Sequence, residues 1–335
     1  MWVLMSFIYL TMMVLGTILA LSSSSWFVVW MGLELNMMGF VPFVGVSGKM
    51  ISGGIFKYFL IQVVGSLVMF LLGLLGSMEL GYWMFVYDAL MKGGILIMIM
   101  ALKMGASPFH GWVLSVSDEL DWVSLMILLT WQKLAPLGLI IVSGWSVLAV
   151  LFVGILSVLV GGIGGLNQLM IKQLMVYSSI GHLGWMSVLF LVSWGVGLVY
   201  FLFYTVVSLG VMMYFIKGYS YVSQFYSSEY MDSMMIGSLC LNLFSLGGLP
   251  PLLGFYPKWI GIVSLLGLSY FWLVIFYLMI GLMTLYFYLR LGYMWFLGGF
   301  SDSFWMVSEG GKSLFGMLMG VFSLSFLPLC LILFG

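Results

Sequence analysis

Apolar runs long enough to cross a bilayer follow one another almost from end to end of this chain, and nothing else in it constrains the fold as much. A lipid-spanning helix needs about 20 mostly apolar residues. Eleven runs meet that requirement: 3–21, 26–46, 54–76, 89–115, 122–143, 145–165, 170–192, 195–217, 235–265, 268–290 and 314–334. With 64% hydrophobic and 6% charged residues and a mean hydropathy of +1.24, the chain cannot cover a water-facing surface, so the bilayer is its solvent. In lipid each backbone polar group has to be bonded within its own segment. The expectation is an all-α polytopic membrane protein.

The fourth and ninth runs are too long for one crossing and carry Gly and Pro inside: Gly105-Ala-Ser-Pro108 and Gly247-Gly248-Leu-Pro250-Pro251. Proline removes a backbone donor and clashes with the preceding turn, so both runs are expected to be broken helices. Two separate short helices fit poorly, because halves of about a dozen residues do not span. The two breaks lie five spans apart and so cross the membrane in opposite directions. That is the pattern of an inverted repeat. Repeat one covers about 1–143 and repeat two about 145–290, with an extra C-terminal helix at about 314–334. Broken helices at matching positions of two inverted halves are a pointer to an ion or substrate path.

Orientation follows from the bases. Lys49, Lys57, Lys172, Lys217, Arg290 and Lys312 fall after even-numbered spans. The positive-inside rule then puts the N-terminus and these loops on the inner side and the C-terminus on the other. These bases read as anchors, with Lys57 and Lys92 snorkelling from span ends. The start, Met1-Trp-Val-Leu-Met-Ser, has neither a basic n-region nor an Arg-rich leader, so no removable address is expected. The 30 methionines are either plastic core filler or the mark of a mitochondrial code that reads an extra codon as Met. Isoleucine is sparse beside leucine, which favours the second.

The chemistry sits in a few ionisable residues inside the spans. They are Glu34, Lys103, His110, Lys133, His182 and Lys258. A lysine at the centre of a spanning helix costs about 2.5–3.5 kcal/mol on insertion scales. The plain reading of any one such residue is a satisfied core group that fixes packing. Three lysines and a glutamate in successive repeat elements point instead to an ion pathway or proton relay. A carboxylate beside a buried lysine holds it charged, which makes Glu34 and Lys103 a candidate pair. Drawing them apart would send the Lys103 proton towards Lys133, with the same push passing on to Lys258. Histidine bridges well between such sites.

Other chemistries are not indicated. Gly161-Gly-Ile-Gly-Gly165 lacks the spacing of a dinucleotide fingerprint and reads as a packing or hinge element. Cys240 and Cys330 lie in apolar runs and read as small core hydrophobes, not as a disulfide or metal site. A formal net charge of zero without a basic block leaves nothing to recruit nucleic acid.

Five motifs together resemble one family. They are Trp30-Met-Gly-Leu-Glu34-Leu-Asn36, Lys103-Met-Gly-Ala-Ser-Pro-Phe-His110-Gly-Trp112, Thr130-Trp-Gln-Lys133-Leu-Ala-Pro136, Tyr177-Ser-Ser-Ile-Gly-His182-Leu-Gly-Trp185 and Gly247-Gly-Leu-Pro-Pro-Leu-Leu-Gly-Phe-Tyr-Pro-Lys258-Trp. This set is similar to the NADH–ubiquinone oxidoreductase chain 2 family, mitochondrially encoded antiporter-like subunits of respiratory complex I. The resemblance runs from about Trp26 to Trp259 and continues to the end only in hydropathy and length. It implies an eleven-span, proton-pumping subunit of the inner mitochondrial membrane, with Glu34, Lys103, Lys133 and Lys258 on a polar axis. It implies no cofactor on this chain, with NADH, FMN, iron–sulfur clusters and ubiquinone on other subunits. The implied partners are other membrane-arm subunits, neighbouring antiporter-like chains among them, and a bilayer containing cardiolipin. One departure is Leu114, at a place where the family usually has proline. The rival readings are a free-standing cation/proton antiporter of the same fold and a scaffold whose lysines only specify packing.

Overall fold

A computed structural model of the chain describes residues 2–46, 52–80, 90–142, 146–216 and 233–299. The expected eleventh span, Cys330 and the bases Lys49, Lys217 and Lys312 lie outside the described residues, as does the Lys92 side chain. Among the described residues, eight helices are long and apolar enough to cross a membrane, and two shorter apolar helices, Gly93–Met104 and Gly237–Gly247, accompany them. The protein is an all-helical, multi-span membrane protein.

The chain divides into two units, Met1–Ser157 and Val158–Gly335. Unit 1 begins with α1 (Trp2–Ser22), α2 (Trp26–Val46) and α3 (Ser52–Leu80). It continues with α4 (Leu90–Met104), α5 (Gly111–Glu119), α6 (Trp122–Leu129), a 3-10 turn (Trp131–Lys133) and α7 (Leu134–Val142). α8 (Val147–Gly164) carries the chain into unit 2 and ends in a 3-10 turn, Gly165–Asn167. Unit 2 then has α9 (Ile171–Val192), α10 (Trp194–Phe215), α11 (Ser233–Gly247), α12 (Phe255–Gly267) and α13 (Phe271–Gly299).

Helices in lipid gain little from hiding apolar surface and hold together by close packing, which small residues at the interface allow. α1 and α2 show this. A Cβ on Gly16 would lie 2.6 Å from the Asn36 backbone nitrogen, and one on Gly32 would lie 2.6 Å from that of Ala20. The two backbones touch at these glycines. A second close approach, at Gly161 and Gly181, brings the end of α8 onto α9 in unit 2. Around these crossings, α2 packs on α3, and α3 packs on both α4 and α5. In unit 2, α9 packs on α10, and α10 packs on both α11 and α12.

Both long runs are interrupted, and by the same backbone device. α4 stops where Gly105 turns left-handed at φ 71°. The Ala106 amide then donates to the Ala101 carbonyl at 2.9 Å and the Gly105 amide to that of Leu102 at 3.2 Å. α11 stops at Gly247, and Gly248 is left-handed at φ 83°. The Leu249 amide donates to the Phe244 carbonyl at 3.3 Å and the Gly248 amide to that of Ser245 at 3.0 Å. Each pair is a Schellman closure, which uses up two of the carbonyls a helix leaves open at its end.

Two boundaries differ from the sequence expectation. The half-helix expected from 251 begins at Phe255, because Leu252–Gly254 form a turn whose backbone lies against α11. At Gly254 a Cβ would overlap the Ser245 carbonyl oxygen. The fifth span, read as one helix over 122–143, is interrupted at Thr130, where φ −113° and ψ −73° end α6 before the 3-10 turn. Pro136, in the first turn of α7, has no amide to give back to Gln132, and the Thr130 hydroxyl bonds the Met126 carbonyl at 2.6 Å.

Candidate functional site

In unit 1 the ionisable residues gather around the two interruptions. Lys103 stands in the last turn of α4, where a cation complements the negative end of the helix. It is 6% exposed, and its stem runs over Gly65 of α3, where a Cβ would lie 3.2 Å from its Cγ and Cε. Side chains bond two carbonyls of this last turn, one of them already in the Schellman closure. Gln62 Nε2 donates to the Lys103 carbonyl and Trp112 Nε1 to that of Leu102, each at 3.0 Å. Trp112 belongs to α5, so the second half-helix bonds the end of the first.

Glu34 is half-buried on α2, two residues before the buried Asn36. Lys133 closes the 3-10 turn and is 2% exposed. The structure thus places it at an interruption that the sequence reading did not foresee. His110 caps the start of α5, half-buried, and its Nδ1 has no hydrogen-bond partner among the described residues.

In unit 2 Lys258 lies in the first turn of α12, one turn into its half-helix and not the two turns past Pro250 that a start at 251 implies. From there it reaches back to α11, donating to the Gly247 carbonyl at 2.7 Å and the Leu246 carbonyl at 3.5 Å. It passes over Gly248, where a Cβ would lie 2.9 Å from its Cδ. An ammonium here satisfies the last open carbonyls and faces the negative end of the α11 dipole. Lys103 and Lys258 therefore serve the same kind of helix end, one from before the break and the other from beyond it.

His182 on α9 shares a small cavity with Lys258, lined also by Ser178, Trp185, Thr284 and Tyr288. A second cavity on His182 is lined by Tyr200, Tyr204 and Ser245. Each has room for about one water among polar groups. His182 Nδ1 is 2.9 Å from the Tyr200 hydroxyl. Sequence reasoning passed over Tyr200, Tyr58, Gln62 and Gln132. Their signal was polar atoms in the middle of apolar runs, which have to find partners once buried.

Lys57, near the start of α3, is exposed at its span end. Its ammonium lies 4.0 Å from the Glu119 carboxylate, which also accepts the Gly54 backbone amide near the start of α3. Among the described residues no group of three or more His, Cys, Asp and Glu side chains could hold a metal ion.

A polytopic fold with paired helix interruptions and a lysine at each, Lys103 buried and Lys258 half-buried, is of the antiporter-like class of membrane subunits. Residues 23–284 match the family described as NADH:quinone oxidoreductase/Mrp antiporter, transmembrane. NADH-ubiquinone oxidoreductase chain 2 of Anopheles gambiae is 36% identical over 308 residues, 90% of this chain and 89% of that protein. The protein of the same name from Equus asinus is 35% identical over 285 residues, 83% of this chain and 82% of its own. A chain of respiratory complex I from Thermus thermophilus, solved with bound aureothin, superposes with a TM-score of 0.83 at 20% identity, covering 98% of this chain and 79% of its own. A chain of the Mrp complex from Dietzia sp. DQ12-45-1b does so at 0.71 and 13% identity, covering 84% and 59%. The chain belongs to the NADH-ubiquinone oxidoreductase chain 2 family.

Proposed function

We propose that this chain is a proton-translocating subunit of the membrane arm of respiratory complex I, multi-pass in the inner mitochondrial membrane. The observation that carries the reading is the burial of Lys103 and Lys133 at helix interruptions in one unit and the placement of Lys258 at another interruption in the second. Intramembrane charges placed where backbone carbonyls are freed mark ion paths. In this reading Glu34 tunes Lys103, Lys133 receives its proton, and His182 exchanges with Lys258 through the cavity they share. His110 serves the α4–α5 break. NADH, FMN, the iron–sulfur clusters and ubiquinone belong to other subunits, and their redox reaction drives the movement.

The chain is read as two inverted five-span repeats, about 1–143 and 145–290, followed by the helix at 314–334. The shared Schellman breaks at Gly105 and Gly248, and the recurring packing of α3 on α4 and α5 and of α10 on α11 and α12, support this. The N-terminus is assigned to the matrix side and the C-terminus to the intermembrane side. Neighbouring antiporter-like chains and cardiolipin are the partners proposed.

Lys133→Ala in the assembled complex tests the reading. Proton pumping and quinone reduction are expected to fall together, by about 100-fold if the group transfers protons in the rate-limiting step. A variant that assembles and keeps the normal proton-to-electron ratio and rate refutes the role given to Lys133.

A further inference from the structure

Two residues of the chain's motifs, Asn36 and Gln132, carry no charge and have no part in the proton path above, yet they meet inside unit 1. Gln132 stands in the 3-10 turn next to Lys133, and its side-chain amide is held from three helices. Nε2 donates to Asn36 Oδ1 on α2 at 3.0 Å and lies 3.5 Å from Met13 Sδ on α1. Oε1 accepts from the Tyr58 hydroxyl on α3 at 3.4 Å. Asn36 and Tyr58 are each 3% exposed, and Gln132 is half-buried. Burying an amide costs free energy unless it is bonded. The bond from Gln132 gives the buried Asn36 carbonyl oxygen its partner.

The two ends of the clasp differ in firmness. Asn36 is fixed by the backbone contact of α1 and α2, where a Cβ on Gly16 would lie 2.6 Å from its nitrogen. The 3-10 turn has weaker support of its own. Its Lys133 amide reaches the Thr130 carbonyl at 3.3 Å, and 3-10 bonds are poorer in geometry than α-helical ones. A turn of that kind takes its position from what grips it, and Gln132 is the residue gripped. The helix that grips it carries Glu34 two residues before Asn36.

We infer that the Gln132–Asn36 clasp is a positioning device that sets the turn bearing Lys133 against the helix bearing Glu34. The inference rests on the reading of Lys133 as a proton carrier. Gln132 and Asn36 are positioning residues, and Tyr58 is a second holder on the same amide.

The test uses the assembled complex containing this chain. Gln132→Met keeps side-chain length and contact with Met13 but has no amide, and Asn36→Leu removes the other partner at similar volume. The double change Asn36→Gln with Gln132→Asn moves one methylene across the clasp and keeps both amides. Each single variant is expected to slow pumping and quinone reduction per assembled complex by about 10- to 100-fold, the scale of an ångström of misplacement. The double variant is expected to recover most of that loss. A role in packing alone would lower the yield of assembled complex and leave its rate untouched. An assembled Gln132→Met enzyme at the wild-type rate overturns the inference, as does a double variant no faster than the single ones. If Gln132→Met does not assemble, Tyr58→Phe carries the test, because it removes one hydroxyl and leaves its ring against Phe40 and Trp112. A slowed Tyr58→Phe supports the clasp and an unchanged one overturns it. Lys133→Ala in the same series separates the two failures. If it also runs normally, the reading of Lys133 falls. If it is slow while Gln132→Met is normal, the clasp alone falls.

Discussion

Glu34 shows how one residue ties chemistry to packing. It is half-buried on α2, which packs on α3, and α3 packs on the α4 that bears Lys103; in the proposed function the two charges form a pair. An isolated carboxylate in hydrocarbon is expensive, and an opposite charge nearby offsets part of the cost. Glu34→Gln keeps the shape and removes the charge, so pumping and quinone reduction by the assembled complex should both fall. Glu34→Asp keeps the charge on a shorter stem and should lose less. A Gln variant with the wild-type rate and pH profile would show that Glu34 and Lys103 do not work as a pair. Lys57 and Glu119 stand in contrast: their side chains are 52% and 25% exposed, and a pair so open to solvent contributes about 0–1 kcal/mol.

At the scale of the element, the helix break is where sequence, backbone and charge coincide. Gly248 has two reasons to be glycine. Its φ of 83° costs a residue with a Cβ about 1–2 kcal/mol, and a Cβ there would lie 3.0 Å from Lys258 Nζ. Gly248→Ala should therefore lower the thermal stability of the complex and move Lys258 off the Gly247 carbonyl, slowing quinone reduction. Gly195→Ala, in a helix with open space around it, is the control and should change neither. Equal thermal inactivation of the two variants would remove the strain argument. Both breaks were legible because Gly followed by Pro punctuates an apolar run. The start of α12 was not, since the turn at Leu252–Gly254 is set by contact with Ser245, and sequence spacing carries no trace of that contact. The interruption at Thr130 was hidden as well. Its one sign, Pro136, lies in the first turn of a helix, where proline is tolerated. Asn36 and Gln132 were visible as polar residues in apolar surroundings. Their pairing joins parts of the chain that the sequence keeps 96 residues apart, and spacing carries no trace of it.

The whole molecule poses a question of energy supply. A proton path needs a driving reaction, which in the proposed function lies on other subunits of the complex. The surface also asks for company. Phe7 on α1 is 67% exposed, and on α13 Trp272 is 87% and Leu282 63% exposed. Apolar side chains so open are stable only against lipid or neighbouring subunits. If the driving reaction lies on other chains, as proposed, the subunit should leave the membrane with them. Mild detergent extraction is therefore expected to yield the chain in a particle far larger than its own 37.4 kDa, with NADH:ubiquinone reductase activity in the same fraction. Size-exclusion chromatography with an activity assay on each fraction checks this. A chain that elutes alone and exchanges cations for protons in liposomes, without NADH, would overturn the subunit reading in favour of a free-standing antiporter.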